Sequence, residues 1–284
     1  MKWGNARRSG NIQDRRGMRM GGVGGMGVGG IAAVVVISLL LGQNPLQMLG
    51  LISEMQSGGT QTGTTGVPAD DEAGQFVSAI LGETEDVWGE IFAARGASYQ
   101  EPTLVLFTGA VQSACGSASS AVGPFYCPGD HQVYIDLDFF AQMRRSLGGG
   151  GDFAEAYVIA HEVGHHVQTI TGTTARLDQA RQRGERIEGD GGLLVRQELQ
   201  ADCYAGLWAH HAQRRHDWLE AGDLEEALNT ATAIGDDALQ QQSRGTVVPD
   251  SFSHGSSEQR TRWFRTGFET GDLESCDTFT ATRL

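Results

Sequence analysis

The stretch Ala160-His161-Glu162-Val163-Gly164-His165-His166-Val167 decides how the rest of the chain is read. It contains His-Glu-x-x-His. On an α-helix, positions i and i+4 lie about 40° apart, so His161 and His165 project from one face. Two imidazoles on one face can hold one Zn²⁺, and Glu162 beside them is placed to take a proton from water at the ion. Asp152 and Glu155 form a capping-box pattern just ahead, which predicts a helix start there. Val158, Ile159, Val163 and Val167 give this helix a buried side, and Gly164 allows another element to approach closely. His166 points about 100° away from His165, so it is not expected on the same ion.

Five residues alone also fit two unlinked surface histidines on an amphipathic helix. A second element makes the reading specific. Glu198-Leu199-Gln200-Ala201-Asp202 starts 33 residues after His165, inside another helical pattern. Glu198 and Asp202 are again i and i+4. A catalytic zinc site needs a third protein ligand, and Glu198 supplies it. Asp202 is placed to accept the other ring N–H of a ligating histidine. The alternative, a pair of solvated acids, sits badly with the apolar neighbours Leu199, Ala201, Cys203, Leu207 and Trp208. The predicted metal set is therefore His161, His165 and Glu198, with one zinc per chain and Glu162 as general base.

Further on, Ser253-His254-Gly255-Ser256-Ser257-Glu258-Gln259-Arg260 precedes the last helical pattern, and Ser256 with Gln259 matches a capping box. A histidine at a helix entrance can stabilise the oxyanion of a tetrahedral intermediate, so His254 is a catalytic candidate. Arg260 is its rival for that role, or for anchoring a substrate carboxylate. The bland alternative is that this segment only caps a helix. His210 and His211 read as surface residues, and His131 has no evident role.

Around these motifs the apolar spacing predicts a long helix from about Pro68 through Phe92, strands at 103–108 and 131–136, and helices near 138–147, 153–170, 193–216, 223–241 and 257–270. The order is a helix, a small sheet, then many helices. That is a mostly helical α+β domain, not a βαβ repeat. Four cysteines allow three pairings. The short Cys115–Cys127 spacing favours that pair, which leaves Cys203 with Cys276. No Cys-x-x-Cys is present, so a cysteine zinc knuckle is unsupported.

The N-terminus differs from the rest. Residues 1–41 carry six basic side chains and one acid, a net +5, while the remainder carries 15 basic and 34 acidic, a net −19. A body that acidic repels phosphate backbones and excludes a nucleic-acid partner. Residues 23–41 contain no charge and end in Ile31-Ala-Ala-Val-Val-Val-Ile-Ser-Leu-Leu-Leu41. About 20 apolar residues span a bilayer as a helix. The chain thus divides into a basic cytoplasmic N-terminus at 1–22, a single-pass membrane anchor at 23–42, a flexible tether at 43–69 and an extracytoplasmic domain at 70–284. A cleaved signal peptide is the alternative, but no small-x-small site follows the apolar core.

The combination resembles the bacterial neutral zinc metallopeptidase family, membrane-anchored proteins with a zincin-like domain. The resemblance runs over most of the chain. It includes Met1-Lys-Trp with the basic residues after it, Ser113-Ala-Cys115-Gly, Gly123-Pro-Phe-Tyr-Cys-Pro128, His161-Glu-Val-Gly-His-His166, Glu198-Leu-Gln-Ala-Asp-Cys203, Ser253-His-Gly-Ser and Arg262-Trp-Phe. It implies a zinc-dependent peptidase acting on a peptide or protein substrate. The two-helix site is similar to that of gluzincins, in which a second-helix Glu is the third ligand. Those enzymes present an edge strand to the substrate backbone, a part the Gly123–Asp138 region could supply. A zinc-bound scaffold without catalysis, and a hydrolase of a non-peptide amide, are the alternatives. The sequence assigns no oligomeric state.

Overall fold

The structure is a computed structural model and describes residues 1–17, 64–68, 71–146 and 151–284. Helix α1 (Glu72–Ala94) is capped by Asp71, whose carboxylate accepts from the Gly74 N–H. Its stripe of Phe76, Val77, Ile80, Leu81, Val87, Trp88 and Ile91 is buried in the core, as the spacing predicts. The sheet uses β1 (Ile12–Asp14), β2 (Thr64–Thr65), β3 (Thr103–Phe107), β6 (Phe125–Cys127) and β7 (Gln132–Asp136), in the order β2-β1-β3-β7-β6. Strands β1, β3 and β7 run parallel, and the edge strands β2 and β6 are antiparallel to their neighbours. A separate hairpin, β4 (Ala110–Ser113) with β5 (Gly116–Ser119), fills the excursion between β3 and β6. The Cys115–Cys127 disulfide, with Cα atoms 5.8 Å apart, ties that hairpin to the edge strand.

The rest is helical: α2 (Leu137–Ser146), α3 (Asp152–Ile170), α4 (Thr173–Gln182), α5 (Leu193–His216), α6 (Asp223–Ala233), α7 (Asp236–Arg244) and α8 (Ser257–Thr270). The mostly helical α+β class is therefore as expected. Helices α5 and α8 pack backbone against backbone. A Cβ on Gly206 would stand 2.0 Å from the Phe264 carbonyl oxygen, and one on Gly267 would stand 1.9 Å from that of Cys203. The second disulfide, Cys203–Cys276, ties α5 to the turn that follows α8, so both favoured pairings are present. His210 and His211 are half-buried rather than free on the surface. Their rings bond the Phe268 and Gly271 carbonyls at the end of α8.

Three further expectations need correction. The predicted 223–241 helix is two helices, broken at Ile234-Gly235, for a reason given below. The Asp152–Glu155 capping box does not form. Gly151 occupies the cap position, the Asp152 carboxylate bonds the Met1 α-amine at 2.9 Å, and Glu155 pairs with Arg144. The third concerns the basic head. Its described part, residues 1–17, is built into the domain instead of forming a separate tail. Ile12 is fully buried, and β1 pairs with β3 from Ile12↔Leu104 to Asp14↔Leu106. Two of its arginines meet acids of the body: Arg7 bonds Glu85 and Asp86 at 2.7 and 2.8 Å, and Arg16 pairs with Asp71 as well as with Asp14 of its own segment. These cations are neutralised locally, whereas the positive-inside count treats them as free charges.

Among the described residues, no helix is long and apolar enough to cross a membrane. The anchor read at 23–42 and most of the tether read at 43–69 lie outside the described residues. The end of that tether re-enters the sheet as β2, where Thr64 pairs with Asp14.

Candidate metal centre

Helix α3 delivers His161, Glu162 and His165 to the base of a cleft, and α5 delivers Glu198 opposite them. The two helices come close because residue 164 is glycine: a Cβ there would lie 3.2 Å from both the Cα and the carbonyl oxygen of Ala201. One ligand atom from each of His161, His165 and Glu198 falls within 4.8 Å of the others. His161 Nε2 is 3.3 Å and His165 Nε2 is 3.5 Å from the same oxygen, Glu198 Oε2. The predicted trio is therefore assembled.

Each histidine uses its other nitrogen to fix the ring. His161 Nδ1 lies 2.8 Å from Asp202 Oδ1, and His165 Nδ1 lies 2.9 Å from Gln168 Oε1. Both acceptors call for a proton on Nδ1, so Nε2 is the nitrogen that each ring turns toward Glu198 and the one an ion would take in place of a proton. Gln168 is itself oriented by donating to the Gln197 carbonyl at 2.7 Å. Two imidazole nitrogens and one carboxylate, on an open cleft, are the donor set of a three-ligand zinc site. The residues fit the ion on their own chemistry.

Asp202 does what the sequence predicts, and more. It is fully buried and is held by Arg260, with Nε to Oδ2 and Nη2 to Oδ1 both at 2.9 Å. The Tyr157 hydroxyl donates to Oδ1 at 2.6 Å. Burial opposes ionisation of Asp202, but Arg260 and His161 outweigh it and hold its carboxyl near 2. Burial likewise disfavours a charged His161, yet Asp202 and then Glu198 raise it to about 10. Glu198, whose side chain is 12% exposed at the cleft, is held well below the usual carboxylate range by the two histidines against the effect of desolvation. Arg260 is thus committed to Asp202 and does not present a free guanidinium to a substrate carboxylate.

His254 stands at the mouth of the cleft with its side chain half-exposed. The loop carrying it is tied down by one carboxylate: Asp236 Oδ2 accepts from the Ser253, His254 and Gly255 N–H groups at 2.6, 2.6 and 3.1 Å. This explains the break between α6 and α7. Gly235 leaves the helix in an extended conformation, and a Cβ there would lie 2.4 Å from the Ser257 nitrogen. The break lets Asp236 turn towards the His254 loop. Asp236 Oδ1 is 3.4 Å from His254 Nδ1, and this contact raises His254 above its ordinary value against the effect of burial. The Ser256–Gln259 capping box is present.

Glu162 lines the cleft beside the trio and has no hydrogen-bond or ion-pair partner among the described residues. His166 turns away, as predicted. It is buried, its ring nitrogens face the Gln100 carbonyl and the Tyr126 hydroxyl, and burial lowers it to about 4. Sequence reading missed Tyr157, Gln168 and Asp236. Tyr157 stands one helical turn before His161 and Gln168 one residue short of a turn after His165, but neither type signals a metal site. Asp236 follows Gly235, a helix-stop signal that could have marked the break.

Two histidines and a general-base candidate on one helix, with a carboxylate from a second, make a candidate metal site on a His-Glu-x-x-His pattern. The chain belongs to the family described as "Putative neutral zinc metallopeptidase", whose match spans residues 1–279. It is 48% identical over 286 residues to "Uncharacterized protein YpfJ" of Escherichia coli K12, covering 98% of this chain and 99% of that one. It is 43% identical over 223 residues to "Uncharacterized protein Rv2575" of Mycobacterium tuberculosis, covering 75% and 74%. No solved structure matches the chain.

Proposed function

We propose that the chain is a zinc endopeptidase holding one Zn²⁺ through His161, His165 and Glu198, with Glu162 as general base and His254 as the oxyanion-stabilising group. The observation that carries this reading is the pair of Nε2 atoms converging on Glu198 Oε2 while Asp202 and Gln168 hold the opposite ring nitrogens. When bound, zinc supplies Lewis-acid polarisation of the scissile carbonyl and acidifies the attacking water. Glu162, unengaged by other groups, takes the water proton and passes it to the leaving amine. His254, whose protonated form Asp236 favours, donates to the oxygen on which charge develops. Strand β6 is an edge strand whose residues line the cleft, so its free edge can pair with an extended substrate. Arg260 is the one arginine or lysine among the cleft-lining residues, and it is spoken for. With no such cation free to grip a chain terminus, the cleft suits internal bonds.

The location is also a proposal. Two disulfides support an oxidising compartment outside the cytoplasm. Because β1 pairs with β3, residues 1–17 share that side with the body.

The test compares wild type with Glu162→Gln, using end-blocked peptides and metal analysis of the full chain. Zinc should stay at one per chain in both, while turnover falls by about 10²–10⁴ in the variant. Loss of zinc in Glu162→Gln would overturn the assignment of roles. Full occupancy with no hydrolysis by wild type would favour the non-catalytic scaffold.

A further inference from the structure

Among the described residues, four large hydrophobic side chains are conspicuously exposed: Val122, Leu239, Val247 and Val248. Val122 and Leu239, 64% and 43% exposed, both line the cleft that holds His161, His165 and Glu198. They come from different elements. Val122 precedes the edge strand β6, together with Pro124. Leu239 is on α7, the helix created by the break at Gly235. Phe139 from α2 and Val158 and Ile234 complete the apolar walls. The cleft volume is about 420 Å³, and its charged lining consists of Glu162, Glu198, Arg260 and whatever charge the histidines carry. Glu162, Glu198 and Arg260 are all little exposed, whereas Val122 and Leu239 stand open to an occupant. A soluble protein leaves such side chains uncovered at little benefit to its own fold, so a ligand is the natural cover.

We infer that the walls built by Val122, Phe139 and Leu239 select an extended peptide with large apolar side chains immediately flanking the scissile bond. The inference rests on the endopeptidase reading and adds the substrate class to it. The edge of β6 holds the backbone, and alternate side chains of a paired strand then fall against the walls. Covering one large apolar side chain corresponds to about 10- to 100-fold in affinity.

The experiment uses the zinc-loaded Glu162→Gln chain, so that binding is read without turnover. The probes are end-blocked octapeptides that differ only in the central pair: Phe-Leu, Ser-Ser, Lys-Lys or Glu-Glu. The Phe-Leu peptide should bind about 10- to 100-fold more tightly than Ser-Ser. Val122→Asp and Leu239→Asp, at exposed positions where folding is little disturbed, should each shrink that ratio several-fold and improve Lys-Lys binding. Equal affinities within threefold, an unchanged ratio in both variants, or no binding by any peptide would overturn the proposal. The same peptides are then offered to wild type. A clear apolar preference in binding with no cleavage would keep the apolar-peptide selectivity of the cleft and overturn the endopeptidase reading, and with it the placement about a scissile bond.

Discussion

Replacing Arg260 by Met tests the support of the metal centre. The guanidinium is 3% exposed and supplies two charge-assisted bonds at 2.9 Å to a fully buried Asp202. It also reaches the Tyr157 hydroxyl at 3.2 Å and the Ile234 carbonyl at 3.3 Å. Met fills similar volume but strands the Asp202 carboxylate. Its Oδ1 keeps His161 and Tyr157, whereas Oδ2 loses its one recorded donor. Breaking one side of a buried ion pair costs about 3–5 kcal/mol. An Asp202 that can rotate no longer fixes the His161 ring, so zinc affinity should fall by about 10–100-fold. Urea denaturation of the metal-free chain reads the first number, and a zinc titration of the folded chain reads the second. Arg260→Lys should lie between, because an ammonium is a point charge and cannot span both carboxylate oxygens. A loss under about 1 kcal/mol with unchanged zinc affinity would refute the positioning role of Arg260.

Three other predictions concern the cleft mouth, the N-terminal strand and the side of the membrane on which each lies. His254 is raised by its bond to Asp236, with Glu198 adding to the rise and Arg260 opposing it, so the stabilisation it contributes is complete below about pH 6.5 and is lost as pH climbs through the raised value. The kcat/KM profile should fall on its basic side as His254 deprotonates; Asp236→Asn should shift that limb to lower pH, and an unshifted limb would exclude His254 as its source. Ile12→Ala, at a fully buried position in β1, should cost about 2–5 kcal/mol by urea denaturation, and a chain begun at residue 70 should lack a cooperative transition. Thiols introduced by Gly10→Cys and Gln241→Cys, both exposed, should react with a membrane-impermeant maleimide from the same side of intact cells; labelling from opposite sides would refute the shared compartment.

The parts of this molecule that were legible in the sequence are those whose signal is local. His161 with His165, and Glu198 with Asp202, are pairs one helical turn apart, and geometry makes each pair share a face whatever the rest of the fold does. Helices 193–216 and 257–270 were bounded by their own apolar stripes and, for the second, by a capping box. Strands 103–107 and 132–136 showed as short β-branched and aromatic runs. Helix Thr173–Gln182 was missed because it is polar: Leu177 and Ala180 are its buried residues, too few to mark a stripe.

Strand β1 was missed for a deeper reason. Ile12-Gln13-Asp14 lies among arginines and offers one buried apolar side chain, so no periodicity announces it. Its stability comes from pairing with Leu104–Leu106, about ninety residues on, and from carboxylates on α1 that meet the arginines. Charge counting took those arginines as free. In the fold they are the complement of an acidic helix surface, which is what a strand at that position needs in order to stay. Asp236 repeats the lesson at the site. On its own it is one acid in a polar helix, and its meaning lies in the Ser253–Gly255 loop, whose three N–H groups it gathers. That arrangement sets where His254 stands over the cleft, so the residue that orients a catalytic candidate is read from the fold and not from its neighbours in sequence.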